Sequence, residues 1–275
     1  MSSHTEQTEL KFHGKLLLEG ELLCHTGLHI GAGKGTLEIG GADNPVVKDA
    51  FGRPYVPGSS LRGRLRSLLE QALGLATPAG LVYVNKRKGQ EVRIHSSDEP
   101  GDEICLLFGR APGRVEKLSG EALGQSAISP ARLTVYDAPL DLDSITAPMR
   151  ESLDDELTEV KSESAIDRIT AQSQARTLER VPAGAKFQVR MVLDILCDED
   201  KELLPVLLQG MSLLEDDALG GGGSRGSGRV SFANLKLTWR NSEYYKGGAE
   251  KEVLSAVNLS AVRAGAAELQ AQLSA

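Results

Sequence analysis

The period of the hydrophobic pattern changes along this chain, and this change constrains the fold more than any other feature. Apolar residues alternate at even spacing from Leu16 to Cys24, as in a half-buried strand. They recur every three to four residues from Leu61 to Ala72, as on one face of a helix. The predicted strands are 11–25, 131–137, 186–197 and 229–239, and the predicted helices are 61–73 and 202–219. Their order predicts an α+β fold with a ferredoxin-like β-α-β-β-α-β core.

A single domain is expected over residues 11–240, since 275 residues fit one large domain with insertions. The less regular stretches at about 77–124 and 138–182 are interpreted as those insertions. Residues 1–10 are polar and predict a flexible tail, whereas 241–275 are rich in Ala and Leu and predict a helical extension. The core plan is RRM-like, and many RNA-binding modules use it.

Composition excludes several classes of protein. The chain contains no run of 18 apolar residues, so no membrane span is expected, and its N-terminus lacks an apolar signal core. A cytoplasmic protein is therefore predicted. Cys24, Cys105 and Cys197 lack the CxxC spacing of a zinc knuckle, and an odd number of cysteines argues against a disulfide framework.

The charged residues are unevenly distributed. The net charge is −7, yet residues 48–93 hold nine Lys/Arg against three acids, and residues 137–167 hold ten acids against two bases. One face could therefore bind a polyanion while another binds a basic neighbour, so that copies assemble head to tail. Two solvated charge patches without partners are the alternative, since charge alone does not distinguish the two.

Residues 27–49 form a glycine-rich stretch that contains His29 and Asp43. The segment GAGKGT at 31–36 is not a nucleotide-binding P-loop, because Leu28 stands where the first glycine is required and Gly35 follows Lys34. Asp43 precedes Asn44-Pro45, which predicts an extended or turned backbone. From the residues alone, the favoured interpretation is that Asp43 forms an Asx turn and that the ring nitrogens of His29 are hydrogen-bonded within the loop.

The stretch YVPGSSLRGRLRSLLE, residues 55–70, predicts a phosphate contact. Ser59 or Ser60 is a natural N-cap for a helix, and a helix N-terminus offers free N–H groups and a positive dipole end. Three arginines follow within two turns: Arg62, Arg64 and Arg66. An ordinary amphipathic helix with solvated arginines is the alternative.

The stretch LGGGGSRGSGRVSF, residues 219–232, lies between a predicted helix and a predicted strand. A flexible linker is improbable here, because the short remainder after it cannot form a second domain. Glycine-rich backbone can instead form an anion-binding nest, to which Arg225 and Arg229 add charge.

Taken together, these segments resemble the RAMP superfamily, specifically the repeated backbone subunit of type III (Csm-type) CRISPR effector complexes. The resemblance runs in order over about residues 11–240. The motifs that carry it are GLHIG at 27–31, GGADNPVVKD at 40–49, PYVPGSSLRGRLRSLLE at 54–70, LFGR at 107–110, EVKSESAIDRITAQSQARTLERVPAGAKF at 159–187 and LGGGGSRGSGRVSF at 219–232.

The resemblance implies that copies of the subunit stack as a filament along one guide crRNA, together with other subunits of the complex. Segment 159–182 would be a thumb-like hairpin that displaces a base pair of the guide–target duplex. Asp43 would cut the target RNA beside that base, supported by a divalent metal ion such as Mg²⁺. The residues expected to bind RNA are His29, Lys48, Ser59, Ser60, Arg62, Arg64, Arg66, Arg168, Gly221, Gly222, Ser224 and Arg225.

Three functions are therefore compared. The first is an RNA-guided endoribonuclease subunit, which the intact Asp43 favours. The second is a non-catalytic scaffold of the same superfamily that grips guide RNA and cuts nothing. The third is a standalone enzyme acting on small molecules, which lacks a paired acid, a catalytic triad or a metal cluster in the motifs above. Whether Asp43 serves as a base, a metal ligand or a positioning group is left open.

Overall fold

The computed structural model of the chain describes residues 10–32, 44–87, 90–111 and 130–273. Within them the strands are β1 (Gly14–Cys24), β2 (Tyr55–Val56), β3 (Leu81–Arg87), β4 (Gln90–His95), β5 (Leu133–Val135), β6 (Ala138–Pro139), β7 (Glu159–Ile166), β8 (Ser173–Arg180), β9 (Lys186–Ile195), β10 (Val230–Asn241) and β11 (Lys251–Asn258). The α-helices are α1 (Gly58–Ala72), α2 (Glu103–Phe108), α3 (Ala147–Arg150), α4 (Leu203–Glu215), α5 (Leu259–Ala264) and α6 (Ala266–Gln272).

The fold is a mixed α/β fold built on one five-stranded sheet with the order β11-β10-β1-β9-β5. Every pairing in this sheet is antiparallel, and β1 lies at its centre between β9 and β10. The remaining strands form three separate pairs, β2 with β6, β3 with β4, and β7 with β8.

The predicted apolar faces form the core. The even-numbered apolar residues of β1 and the odd-numbered ones of β9 point to one face of the sheet, where α1 and α4 pack against each other and against the strands. Leu61, Leu65, Leu68 and Leu69 of α1 are buried there, as their helical spacing predicts. The opposite face carries ion pairs across the strands, such as Lys15–Asp194 at 2.5 Å.

Helix α1 begins at Gly58, earlier than predicted, and neither Ser59 nor Ser60 caps it. Pro57 occupies the N-cap position and offers no side-chain acceptor. The first N–H, that of Gly58, instead donates to Asp137 Oδ1 at 2.7 Å. A Cβ on Gly58 would lie 2.2 Å from the carbonyl oxygen of Val135, so only glycine allows this close approach to the end of β5. The N-cap prediction was wrong because the acceptor comes from a residue distant in sequence.

The C-terminal segment was predicted to be helical, and this is wrong for its first part. Residues Lys251–Asn258 form β11, which adds an edge strand to β10. The β-branched Val253 and Val257 favour a strand, and the exposed edge of β10 supplies the hydrogen-bond partners. Helices α5 and α6 then pack their apolar side chains into the main core, including Leu259, Val262 and Leu269. No helix in the described part of the chain is long and apolar enough to cross a bilayer.

Candidate nucleic-acid interface

Four segments meet at the end of the sheet where β1 finishes and β10 starts. The chain after β1 pairs with the end of β8 through reciprocal hydrogen bonds between Leu28 and Val181, both at 2.8 Å. The glycine loop between α4 and β10 closes over the same chain, because the N–H of Gly221 donates to the carbonyl oxygen of His29 at 2.8 Å. Residues 44–48 lie on the other side, where Val47 N donates to Ile30 O at 2.8 Å.

His29 is buried between these segments, with a relative exposure of 8%. Its Nδ1 lies 2.8 Å from the carbonyl oxygen of Glu179, which can only accept, so Nδ1 donates. Gly220 is required beside it, because a Cβ at that position would lie 2.1 Å from the His29 carbonyl oxygen and its φ is +76°. An RNA contact by His29 would therefore have to use Nε2, and such a contact stays a prediction.

The glycine loop is more self-contained than an open anion nest. The N–H groups of Arg225 and Ser227 donate to Gly222 O, and the N–H of Gly226 donates to Gly223 O. These amides are therefore not directed at a ligand, which corrects the nest prediction for them. The side chains of Ser224 and Arg225 are exposed, and their contact with RNA stays a prediction.

Glu179 joins the hairpin base to the segment that follows Asp43. One carboxylate oxygen accepts hydrogen bonds from Thr158 Oγ1 at 2.8 Å and from Lys48 Nζ at 2.9 Å. The other accepts the backbone N–H of Val46 at 2.8 Å. The backbone N–H of Glu179 donates to the carbonyl oxygen of Asn44 at 3.1 Å. These contacts hold the segment that begins at Asn44 against β8.

Asp43 lies outside the described residues, but both flanks of its loop are fixed. The described chain stops at Ala32, whose N–H donates to Pro45 O at 3.0 Å, and resumes at Asn44, which bridges to Leu178. The residue after Asp43 is therefore held beside the base of the β7–β8 hairpin.

Lys48 is half-buried, and its ammonium group is engaged by two carboxylates of the chain itself. Its ammonium group binds Glu179 and also Asp155, at 3.1 Å. Burial alone would lower the pKa of Lys48, but hydrogen bonds and charge from these two carboxylates outweigh it and raise that pKa. Lys48 therefore stabilises the segment after Asn44, and its predicted contact with RNA would require it to leave this pair.

Arg66 is buried and Arg62 is half-buried, so neither stands free on an RNA-binding face as predicted. Both guanidinium groups donate to the carbonyl oxygen of Phe108, the last residue of α2. Arg66 also donates to Gly109 O, His95 O and Glu70 Oε1, so it is bonded on every nitrogen. Cations at a helix C-terminus compensate its unpaired carbonyls and its negative dipole end. We assign both arginines a structural role.

Arg64 is the arginine of α1 that turns toward the glycine loop. It is about one-third exposed, and it binds Asp217 Oδ1 at 2.7 Å and the carbonyl oxygen of Ala218 at 3.0 Å. Ser59 is exposed and Ser60 half-buried at the first turn. Asp137 already occupies the N–H of Gly58, so a phosphate at this helix terminus would have to use the side chains and later amides.

The β7–β8 hairpin is a separate two-stranded sheet whose burial falls from base to tip. Leu178 and Glu179 are buried at the base, whereas Arg168 and Ile169 are exposed at the tip, Ile169 at 95%. Asp167 fixes the turn, because its Oδ1 accepts the N–H groups of Ile169 and Thr170 at 2.9 and 2.6 Å. The hairpin expected for segment 159–182 is therefore present, with a hydrogen-bonded turn that exposes Ile169 at its tip.

Comparison with known proteins identifies this arrangement. The pattern of the RAMP superfamily matches residues 21–231. The chain belongs to the RAMP superfamily. Among curated RAMP relatives, the CRISPR system Cms endoribonuclease Csm3 of Methanocaldococcus jannaschii is 41% identical over 86% of each chain. The protein of the same name from Methanothermobacter thermautotrophicus is 37% identical over 89% of this chain and 94% of its own.

Solved structures agree with this assignment to the RAMP superfamily. A crystal structure of a Csm3–Csm4 subcomplex from a type III-A CRISPR-Cas interference complex matches with a TM-score of 0.59 and 30% identity, covering 94% of this chain and 98% of the other. The Methanopyrus kandleri Csm3 crystal structure, at 21% identity and a TM-score of 0.61, covers 95% of this chain and 98% of the other and shares the fold.

Sequence reasoning missed Glu179, Thr158 and Asp137, although the first lies inside a motif of the RAMP resemblance. Nothing in the spacing of a lone glutamate in an exposed polar strand distinguishes a buried acceptor from a solvated one. Only the pairing of β8 with residues 44–48 brings Glu179 to its partners, which are up to 133 residues away.

A second polar cluster of this RAMP protein lies away from the interface. His95 Nε2 is 2.7 Å from Asp102 Oδ2 and its Nδ1 is 3.0 Å from Gly80 O, while Asp102 Oδ1 accepts the N–H of Cys105 at 2.8 Å. Burial alone would raise the pKa of Asp102, but the hydrogen bonds from His95 and Cys105 outweigh it and lower that pKa to about 2.

We expect Asp102→Asn to remove a pH-dependent part of the stability. The folded pKa of Asp102 is below its ordinary value of 3.8, so its contribution is present above pH 3.8 and disappears as pH falls toward 2. At neutral pH the loss should be about 2 kcal/mol of unfolding free energy. Asparagine keeps the acceptor for Cys105, so the cap of α2 is retained. Urea unfolding of both proteins across this pH range measures the difference, and a pH-independent gap would contradict the assignment.

Proposed function

We propose that this chain is a backbone subunit of a cytoplasmic type III CRISPR effector complex, which binds guide crRNA and cleaves complementary target RNA at regular intervals. One observation carries the proposal: the glycine loop, His29 and the segment adjoining Asp43 meet at the base of one exposed hairpin with a hydrogen-bonded turn at its tip. The names of the curated relatives support the cleavage activity, since both are endoribonucleases.

The core that presents this site is ferredoxin-like in our proposal. Without β11, the sheet order β10-β1-β9-β5 is the order fourth, first, third and second of the core strands along the chain. This antiparallel order, with α1 after the first strand and α4 after the third, supports a β-α-β-β-α-β core.

Each part of the interface has a distinct task in this proposal. The side chains of Ser59, Ser60, Arg64, Ser224 and Arg225 would hold the guide backbone, because RNA-guided proteins leave sequence reading to base pairing. The apolar hairpin tip beside Arg168 would enter the duplex and unstack a base step, as apolar wedges do in other nucleic-acid complexes. Asp43 would then stand next to the ribose and phosphate of the displaced nucleotide.

The cleavage step would depend on Asp43 and a divalent metal ion such as Mg²⁺. Among the described residues near Asn44, the carboxylates of Glu179 and Asp155 do not fit a metal ion, because both bind Lys48. A magnesium ion would have to rely on Asp43 and RNA phosphate oxygens, and when bound it would stabilise charge at the scissile phosphate.

The partners of the proposed subunit are guide crRNA, target RNA, further copies of itself in a filament and other subunits of the complex. One structural relative was solved as a Csm3–Csm4 subcomplex, and another as a type III-B Cmr-beta complex bound to cognate target RNA. The basic and acidic segments that were predicted to pair between copies also contact each other within one chain, since Lys48 binds Asp155.

Cleavage by the complex reconstituted on a defined guide tests the proposal. A labelled complementary target should yield a ladder whose products differ by a constant length, because identical copies stand at equal spacing. Moving the guide by one nucleotide should move every cut by one nucleotide, and light scattering should show assembly that depends on the guide. Binding without any cleavage would favour the non-catalytic scaffold, and a monomer that ignores the guide would contradict both.

A further inference from the structure

Three cationic side chains converge on one glutamate where the β7–β8 hairpin meets the glycine loop. Arg176 Nη2 lies 2.9 Å from Glu163 Oε2, and Lys161 Nζ lies 3.3 Å from Glu163 Oε1. Arg225, from the glycine loop, approaches the same carboxylate with its Nε at 3.0 Å. Lys161 also donates to the carbonyl oxygen of Arg225 at 3.1 Å. The hairpin and the loop are therefore joined by one charged cluster.

The charge of this cluster is not balanced within it. Three cations surround one carboxylate, so an excess of two positive charges remains. Glu163 is largely covered, with its side chain 10% exposed, whereas the side chains of Arg176 and Arg225 are 52% and 50% exposed. The cations therefore form the outer layer, and the glutamate lies beneath them.

Stability does not explain such an arrangement. Exposed ion pairs contribute about 0 to 1 kcal/mol each, and two of the three cations are half exposed. An acid that is covered by several guanidinium and ammonium groups is, by contrast, a way to orient them toward an external anion. Guanidinium groups bind phosphate oxygens through paired N–H donors, and a lysine adds a point charge.

We propose that Lys161, Arg176 and Arg225 form a clamp for an RNA backbone phosphate, and that Glu163 is its positioning residue. The inference rests on the proposed function, which brings a guide along the glycine loop. It adds Lys161, Arg176 and Glu163 to the interface and makes the middle of the hairpin, beside the glycine loop, a point where RNA is held. The clamp and Glu179 lie on opposite sides of the hairpin, because Lys161 and Glu163 are one residue out of phase with the face that holds Glu179.

The salt dependence of RNA binding tests the clamp. The full-length protein would be titrated with a fluorescent single-stranded RNA of mixed sequence at several salt concentrations. Lys161→Ala and Arg176→Ala should each reduce the log–log salt slope by about 0.7, equally on unrelated sequences. Over a fourfold change in salt this is about a 3-fold smaller change in affinity for each variant. Arg176→Lys should keep the slope, because the charge remains.

Arg190→Ala is the matched control. Arg190 is also an exposed arginine of a strand paired with a glutamate, at 47% exposure, but it lies on β9 within the sheet. Its slope should equal that of the wild type, and circular dichroism should show all variants folded. An unchanged slope for both clamp variants would overturn the clamp. If they lost self-assembly on RNA with an unchanged slope, the cluster would bind an acidic protein surface instead, which also overturns it. If the wild type bound no RNA at all, the result would contradict the proposed function itself, and with it the clamp.

Discussion

Asp43→Ala should reduce target-RNA cleavage by the assembled complex by about 10²- to 10⁴-fold, the range associated with loss of a general acid or base. Guide and target affinity should stay within experimental error, because the described residues on either side of 33–43 are held by other contacts. Asn44 is bonded to β8 and Ala32 to Pro45, and neither contact involves the Asp43 side chain. Cleavage rate and target affinity would be measured on the same purified complex. Chelation of divalent metal ions should likewise reduce cleavage by the wild-type complex without loss of binding, and adding Mg²⁺ should restore the cleavage.

Asp49→Ala provides the matched control for a merely structural aspartate. Asp49 follows on the same segment, and its Oδ1 accepts the N–H groups of Phe51 and Arg53 at 2.8 and 2.9 Å, which is the turn-stabilising role that the alternative assigns to Asp43. Its loss should lower stability slightly and leave cleavage intact. If Asp43→Ala behaved like Asp49→Ala and retained metal-dependent cleavage, the catalytic assignment would be wrong and the scaffold function would take its place.

Glu179→Ala should destabilise the protein by about 3 kcal/mol, because it leaves buried polar partners without an acceptor. The affected groups are the N–H of Val46, the hydroxyl of Thr158 and the ammonium of Lys48. Cleavage should fall by about 10²-fold more than guide binding, since displacement of a catalytic group by about 1 Å costs that much. Chemical unfolding and cleavage assays below the unfolding transition measure the two effects separately.

Two further variants distinguish the specific effect of losing Glu179 from a general effect of removing a charge. Glu179→Gln keeps an acceptor oxygen but loses the charge that binds Lys48, so its stability should lie between those of the wild type and Glu179→Ala. Glu21→Ala removes a glutamate that binds Lys186 at 2.9 Å on the sheet and takes no part in the contacts of Glu179 with residues 44–48. It should leave the ratio of cleavage to binding unchanged. An equal loss of cleavage in Glu21→Ala and Glu179→Ala would refute a specific role for Glu179.

Sequence patterns did not predict which groups the functional side chains bind. Arg62 and Arg66 are four residues apart and share one stripe of the helix, with Arg64 off that stripe, yet all three were predicted to bind RNA. In the structure Arg66 is buried and fully bonded, Arg62 binds the end of α2, and only Arg64 turns to the glycine loop. The difference depends on where α2 ends relative to α1, and no local pattern encodes that.

The hydrophobic pattern predicted the strands β1, β9 and β10 and the helices α1 and α4, and the ordered motifs predicted membership of the RAMP superfamily. The hydrophobic period depends on residues that are close in sequence, so it can be recognised without knowledge of the fold. Tertiary structure alone decided that Asp137 caps α1, that β11 extends the sheet, that Lys48 binds Glu179 and that three cations gather on Glu163. Each of these contacts requires partners that are distant in sequence or belong to different elements, and folding brings them together only when the strands pair and the core closes.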